Sequence, residues 1–99
     1  KLVTYATQIV RATRDPASID ARFEQAIELG ASPRASIALI QMARAEAVLN
    51  NRGHTYPEDV KKVAIDVLRH RILLSYHAEA EGITALDFIG SILDTVKVP

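Results

Sequence analysis

The chain has 99 residues, enough for one domain with a single hydrophobic core. Hydrophobic residues make up 48% of it and charged residues 24%, which excludes a disordered or fibrous chain and predicts a globular fold. The 12 basic and 12 acidic side chains cancel, so no net field draws the chain to nucleic acid or an anionic membrane, and we expect neither partner. Since cysteine is absent, disulfides, thiolate metal sites and a cysteine nucleophile are excluded.

The first predicted element is a helix from Leu2 to about Thr13. Apolar side chains recur along it at helical spacing, at Leu2, Tyr5, Ile9 and Ala12, with Val3, Ala6 and Val10 beside them. Asp15 and Pro16 end this helix, because the residue before a proline disfavours the helical conformation. The stretch up to Gly30 is ambiguous, since it could hold a short helix or an extended piece at its end. We predict a loop with one short element there.

The sharpest helix start in the sequence is Ser32 followed by Pro33, a capping side chain before a proline at the first helical position. The predicted helix runs from Pro33 to about Asn50. Its apolar side chains point in nearly every direction and leave only a narrow polar stripe, formed by Arg34, Gln41 and Arg44. A helix of this kind is predicted to be central and packed on most sides.

A third helix is predicted to follow Thr55 and to end at about Arg69. Thr55 and Glu58 have the spacing of a capping box, which marks the start of this helix. One clean apolar face supports it, made of Val60, Val63, Ala64, Val67 and Leu68. The apolar run at residues 72–74 is either a strand or the tail of that helix.

A last helix is predicted from the Thr84 and Asp87 pair to about Val96. Its inward side chains are Phe88, Ile89, Ile92 and Leu93. The sequence therefore predicts an all-α fold, a small bundle of four or more helices, and a short two-stranded β element remains open.

No segment carries the motif of a self-sufficient enzyme. Phosphate-loop, dinucleotide, nucleophile-elbow and zinc-protease patterns are all absent. The histidines His54, His70 and His77 are scattered without cysteine and are interpreted as surface side chains, so no metal site is predicted. Glu79 and Glu81 are interpreted as part of a solvated loop.

Arg34 is the candidate functional residue. A cation in the first turn of a helix opposes the helix dipole, which costs about 0.3 to 1 kcal/mol when exposed. The free backbone N–H groups of that turn, together with a guanidinium, form a ready site for a phosphate. From the residues alone two alternatives stay open, namely that Arg34 is solvated or that it pairs with a carboxylate such as Glu28.

Two basic pairs invite a nucleic-acid interpretation, Arg11 with Arg14 and Arg69 with Arg71. No aromatic side chain lies beside either pair in the sequence, although stacking aromatics are typical of single-strand binding sites. Charged helix ends are therefore the preferred interpretation.

Three segments of the sequence, in chain order, form a distinctive combination. They read YATQIVRATRDP, GASPRASIALIQMARAEAVLNNRGHTYPEDVKKVAIDVLRHRILLS and AEAEGITALDFIGSIL. From about Tyr5 to Leu93 the chain resembles the C-terminal lid of MoxR-type AAA+ ATPases. Each string is weak alone, but the order G-A-S-P-R-A-S, an alanine-rich helix, P-E-D-V and L-R-H-R is specific. One departure is Tyr56, which stands before the P-E-D-V proline where the family has a small or β-branched residue, so that helix boundary can shift by one residue.

In that family the arginine at the position of Arg34 is the sensor 2 residue, which approaches the nucleotide phosphates and couples hydrolysis to lid movement. The resemblance therefore implies that Ser32, Pro33 and Arg34 contact ATP and that Arg34 is the catalytic side chain. In the magnesium-chelatase branch, with which MoxR proteins group, the displaced lid implies action in trans. A lid from another AAA+ branch would imply action in cis, and the sequence leaves both alternatives open. The Walker motifs and the Mg²⁺ that accompanies ATP belong to a core domain outside these residues. The isolated chain is thus expected to bind nucleotide weakly or not at all and not to hydrolyse ATP.

The resemblance also implies that residues 1–99 are a single lid domain. Because the chain starts at Lys1 inside a helical pattern, it is expected to be a piece of a longer cytoplasmic ATPase with chaperone-like remodelling activity. The implied partners are its own core domain, the neighbouring subunits of a homo-oligomer and a von Willebrand factor A-domain protein. The implied homo-oligomer is a hexamer. The alternative is a helical interaction module without a nucleotide role, since the segment from Thr55 to Arg71 also resembles the late helix of a histone-fold pair.

Overall fold

The computed structural model describes all residues from 1 to 99 and contains five helices and one two-stranded ribbon. The helices are α1 (Leu2–Thr13), α2 (Ala35–Leu49), α3 (Pro57–Leu68), α4 (Tyr76–Glu81) and α5 (Ala85–Thr95). The strands are β1 (Ile27–Leu29) and β2 (Leu73–Leu74). Two 3-10 turns, Pro16–Ser18 and Ala21–Phe23, lie between α1 and β1. The prediction of an all-α bundle with a short β element is confirmed.

The core lies where α1, α2, α3 and α5 meet. Its largest fully buried side chains are Tyr5, Ile9, Phe23, Leu39, Leu68, Phe88, Ile89 and Ile92. Phe23 comes from the second 3-10 turn, and its ring packs against that of Phe88 with the centroids 5.1 Å apart and the planes tilted by 59°. This aromatic pair anchors the irregular stretch after α1 onto α5, so the stretch is fixed although it is not helical.

The ribbon joins the segment before α2 to the segment after α3. Ile27 pairs with Leu74 and Leu29 with Leu73 in antiparallel register, with an irregularity between the two pairs. The N–H of Ser75 also donates to the carbonyl of Ala26 at 2.8 Å. Both segments for which an extended piece was one of two alternatives are therefore strands, and they pair with each other.

The predicted packing of α2 is wrong for this chain, because only one face of the helix is covered. The buried residues are Ala35, Leu39, Ala43 and Ala47, a stripe at four-residue spacing. The alanines let α1 and α3 come close on that side. Large apolar side chains on the other sides remain exposed, namely Ile37, Met42, Val48 and Leu49. Periodicity showed that α2 is apolar nearly all round, but these 99 residues supply neighbours for one face only.

The cap of α3 lies one residue later than the predicted pair of Thr55 and Glu58. The Tyr56 N–H donates to Asp59 Oδ2 at 2.8 Å, so Asp59 takes the role expected of Glu58. Arg52 also donates hydrogen bonds from both of its terminal nitrogens to the Asp59 carboxylate, from Nη1 to Oδ2 at 2.8 Å and from Nη2 to Oδ1. The pKa of Asp59 is lowered from its ordinary value, first because Arg52 donates hydrogen bonds to it and further because the Tyr56 N–H does.

The helix α4 replaces the predicted solvated loop, and His77, Glu79 and Glu81 all lie on it. The Ser75 hydroxyl caps it by accepting from the Ala78 N–H at 3.3 Å. Gly82 ends it at φ 72°, a left-handed conformation that favours glycine. The three polar side chains are exposed, as expected, but on a helical scaffold.

The predicted start of α5 is confirmed. The Asp87 N–H donates to Thr84 Oγ1 at 3.1 Å, and the Thr84 N–H donates to Asp87 Oδ2 at 3.0 Å. These hydrogen bonds lower the pKa of the Asp87 carboxyl. Phe88, Ile89 and Ile92 are buried below the cap, which directs α5 into the core.

Candidate functional site

The α2 helix begins in a tight turn formed by Ser32, Pro33 and Arg34. The Ala35 N–H donates to the Ser32 carbonyl at 2.9 Å, and the Ser36 N–H donates to the Pro33 carbonyl at 3.2 Å. Regular α-helix starts at Ala35, two residues after the predicted start, because these first bonds span three residues rather than four. The predicted side-chain cap is also wrong, since Ser32 contributes its backbone carbonyl and not its hydroxyl.

Arg34 lies in this turn as an exposed cation without an acidic partner. Its backbone is helical, at φ −65° and ψ −20°, and the first turn of α2 contains no acidic residue. The only ion pairs in the molecule join Arg52 to Asp59 and Lys62 to Glu46, so the expected alternative of an Arg34 pair with Glu28 is not formed. The backbone N–H groups of Ser32 and Arg34 donate to no acceptor within the protein. The turn therefore offers one guanidinium and two free N–H donors at the positive end of a helix.

The end of α1 holds this turn in place. Thr13 Oγ1, which is buried, donates to the Val10 carbonyl at 2.6 Å and accepts from the Ala31 N–H at 2.9 Å. Gly30 lies so close that a Cβ built there would stand 2.4 Å from the Thr13 carbonyl oxygen and 2.9 Å from Arg14 Cγ. Since no side chain fits at Gly30, α1 and the chain leading to Arg34 meet backbone against backbone.

Comparison with known proteins identifies the domain. Residues 19–92 match the family model described as the AAA lid domain. The chain belongs to the AAA lid domain family. The lid is 40% identical over 99 residues to Chaperone MoxR1 of Mycobacterium tuberculosis, covering 99% of the lid and 26% of that protein. It is 39% identical to protein YeaC of Bacillus subtilis, covering 96% of the lid and 27% of that protein.

A solved structure agrees with this assignment. The crystal structure of a protein from Cytophaga hutchinsonii, provisionally named an ATPase, matches the lid with a TM-score of 0.90 at 46% sequence identity. The match covers 99% of the lid and 30% of that chain. The resemblance to the lid of MoxR-type AAA+ proteins is thus confirmed, and the lid spans less than a third of each of these relatives. Family membership argues against the alternative of a histone-fold-like module.

Two grooves flank the turn of Ser32 and Pro33, and arginines line both. One, of about 320 Å³, lies between α1 and the start of α2 and is lined by Arg11, Arg14 and Pro33 among others. The second, of about 330 Å³, is lined by Arg14, Arg71 and the segment from 29 to 33. Arg34 lines neither groove. Sequence reasoning missed this arrangement because it treated the arginines as separate helix ends, and only the fold brings Arg14 and Arg71 together.

The remaining polar candidates form no second site. His54, His70 and His77 are exposed at separate places on the surface. No group of three or more histidine, aspartate or glutamate side chains is arranged to hold a metal ion. None of the helices has both the length and the apolar character needed to cross a bilayer.

Proposed function

We propose that the lid supplies Arg34 as the sensor 2 residue of a larger MoxR-type AAA+ ATPase. The observation that supports this role is the unpaired Arg34 guanidinium beside two free N–H groups at the start of α2. Such a donor set suits phosphate oxygens, which accept charge-assisted hydrogen bonds and are favoured by the helix dipole. Ser32 and Pro33 would contact the nucleotide only through the backbone of the turn.

In this role Arg34 stabilises negative charge on the transferring phosphoryl group and helps to position it. The lid provides no nucleophile and no Mg²⁺ ligand, so ATP and its Mg²⁺ are held by the core domain of the parent ATPase. The isolated lid is accordingly not an enzyme, and tight nucleotide binding is not expected of it.

The exposed apolar face of α2 supports a route by which Arg34 would reach a nucleotide. This face, defined by Ile37, Met42, Val48 and Leu49, belongs to the same helix that Arg34 opens. A helix that is apolar nearly all round is normally buried on most sides. We infer that an ATPase core covers this face, either the core of the same subunit or that of its neighbour, so that docking carries Arg34 to a nucleotide in cis or in trans.

The wider setting follows from the family. The proposed parent is a cytoplasmic homo-oligomer, a hexamer, that acts as a chaperone-like remodeller with a von Willebrand factor A-domain partner. In such a ring a trans contact by Arg34 would make hydrolysis in one subunit depend on the lid of the next.

The test is the turnover of the full-length ATPase with Arg34→Ala. Loss of one charge-assisted contact made in the transition state should lower kcat by about tenfold or more. Arg69→Ala is the control, because Arg69 is an exposed arginine at the end of α3, away from the apolar face of α2, and lines neither groove beside the turn. Circular dichroism should show both variants folded. Unchanged turnover in Arg34→Ala would remove the proposed role.

A further inference from the structure

The second groove, here called the Arg14–Arg71 groove, is a separate positively charged feature. Arg14 ends α1, whereas Arg71 follows α3, and the backbone from Gly30 to Pro33 runs between them. Both arginines are exposed, and Arg14 also lines the neighbouring groove with Arg11. Three arginines therefore line the two grooves beside the Ser32 and Pro33 turn, and Arg34 is not among them.

No carboxylate forms an ion pair with this cluster, although Asp15 lines a third groove together with Arg11 and Arg14. The lid has 12 acidic side chains, yet none lines either groove, and neither ion pair of the molecule involves these arginines. The only side-chain hydrogen bond among them runs from Arg71 Nη1 to the Val67 carbonyl at 2.7 Å, which leaves the other Arg71 donors free. Like charges held together repel one another, so an anion in the groove would relieve the repulsion.

Backbone donors add to the side chains. The segment that lines the groove includes Gly30 and Ser32, and neither N–H donates to an acceptor within the protein. A phosphate group has three terminal oxygens, which suit two planar guanidinium groups and nearby N–H donors better than a single carboxylate does. The observed donors thus favour a phosphate.

We propose that the Arg14–Arg71 groove binds a phosphate group, carried either by a nucleotide or by a free phosphate. Arg14 and Arg71 provide charge-assisted hydrogen bonds, and Arg11 adds positive potential from the adjoining groove. The site shares the Ser32 N–H with the contact proposed above but does not use the Arg34 guanidinium. Because Arg14 Cγ packs beside Gly30, a phosphate held there also braces the turn that carries Arg34.

The experiment is a titration of the ¹⁵N-labelled lid with pyrophosphate, with ATP and with adenosine, followed by amide chemical shifts at constant ionic strength. Pyrophosphate should give saturable shifts at Gly30 and Ser32, and adenosine should give none. Equal affinity for ATP and pyrophosphate would assign the site to any phosphate group, whereas tighter ATP binding would assign it to a nucleotide. Both results support the proposal.

Variants connect the shifts to the arginines. Arg14→Gln and Arg71→Gln should each weaken pyrophosphate binding by about tenfold, the loss expected for one charge-assisted contact. Arg69→Gln is the matched control, because Arg69 is exposed near Arg71 but lines neither groove. Arg34→Ala should leave this binding intact, which separates the groove from the sensor 2 role.

Three results would overturn the proposal. They are shifts that chloride reproduces at the same ionic strength, equal weakening by Arg69→Gln, and tighter binding of a polyglutamate peptide than of pyrophosphate. Should Arg14→Gln fail to fold, Arg71→Gln decides alone, since Arg71 is exposed and is not among the atoms packed most closely against Gly30.

Discussion

The segments around the starts of α2 and α3 both carry arginines, but only the arginine before α3 is paired with a carboxylate. Before α3, Arg52 and Asp59 pair with each other, and Glu46 accepts from both Lys62 and Asn50 at 2.8 Å. Around the start of α2, Arg14, Arg34 and Arg71 have no ion pair with an acidic side chain. Paired charges hold a loop in shape, whereas unpaired ones remain available to a ligand. The contrast separates an arginine that is paired within the lid from arginines that no carboxylate of the lid engages.

The largest effect on stability is expected from Asp59→Ala. The change removes the carboxylate that accepts from Arg52 and from the Tyr56 N–H, and Asp59 is 2% exposed. Losing these bonds should lower the free energy of unfolding by about 2 to 3 kcal/mol. Urea denaturation at neutral pH measures the loss. Asp66→Ala on the exposed side of α3 is the control and should change stability little; equal losses in the two variants would show that the pairing before α3 is not stabilising.

A smaller loss is expected from Gly30→Ala, which tests the joint beside the unpaired arginines. The new methyl group would overlap the Thr13 carbonyl, so α1 and the turn must separate. Overpacking of this kind should cost about 1 to 3 kcal/mol. Gly90→Ala is the matched control because a Cβ there meets nothing within 4 Å, and in the middle of α5 alanine should raise stability by about 0.5 to 1 kcal/mol. If the two variants behave alike in thermal melts, the close contact at Gly30 is unimportant.

The pH dependence of stability should distinguish the two turns most finely. The pKa of Asp59 in the folded lid lies below its ordinary value of 3.8, so its pairing stabilises the fold fully above that pH and is lost as the pH falls toward the lower pKa. Melting temperatures of the wild type and Asp59→Asn should therefore differ most at neutral pH and converge on acidification. A difference that stays constant into acid would contradict this account. Arginine side chains remain charged over this whole pH range, so those around the turn before α2 add no pH dependence to the stability of the lid.

Several features of the fold could be predicted from the sequence because they depend on local patterns of residues. The helical spacing of apolar residues predicted α1, α3 and α5. The Thr84 and Asp87 pair correctly predicted where α5 begins. The helix α4 was missed because six residues are too few to show a period, although Ser75 and Gly82 were the signals that could have revealed it. At α3 the cap moved by one residue, since Asp59 competed with Glu58 and also pairs with Arg52.

The candidate site could be predicted from the sequence only in part, because some of its residues meet only in the folded lid. Arg34 could be selected from the sequence because its conflict with the helix dipole is local. The meeting of Arg14 with Arg71 depends on how α1, the ribbon and the end of α3 are placed, and no local pattern encodes it. The exposed face of α2 shows the same limit, since a periodic pattern reveals an apolar surface but not whether this chain or another one covers it.

The backbone contact between Gly30 and the end of α1 has a mechanical consequence. The backbone of Gly30 contacts the end of α1 with no side chain between them, so a movement of α1 would pass directly to the turn of Arg34. The 12 residues of α1 span about 18 Å, and the turn of Arg34 lies beside the far end of this helix. Tilting this helix by about 10° about its first residue moves the turn by about 3 Å, which is the length of one hydrogen bond. A rocking of the lid by this angle would be enough to make or break the contact proposed for Arg34.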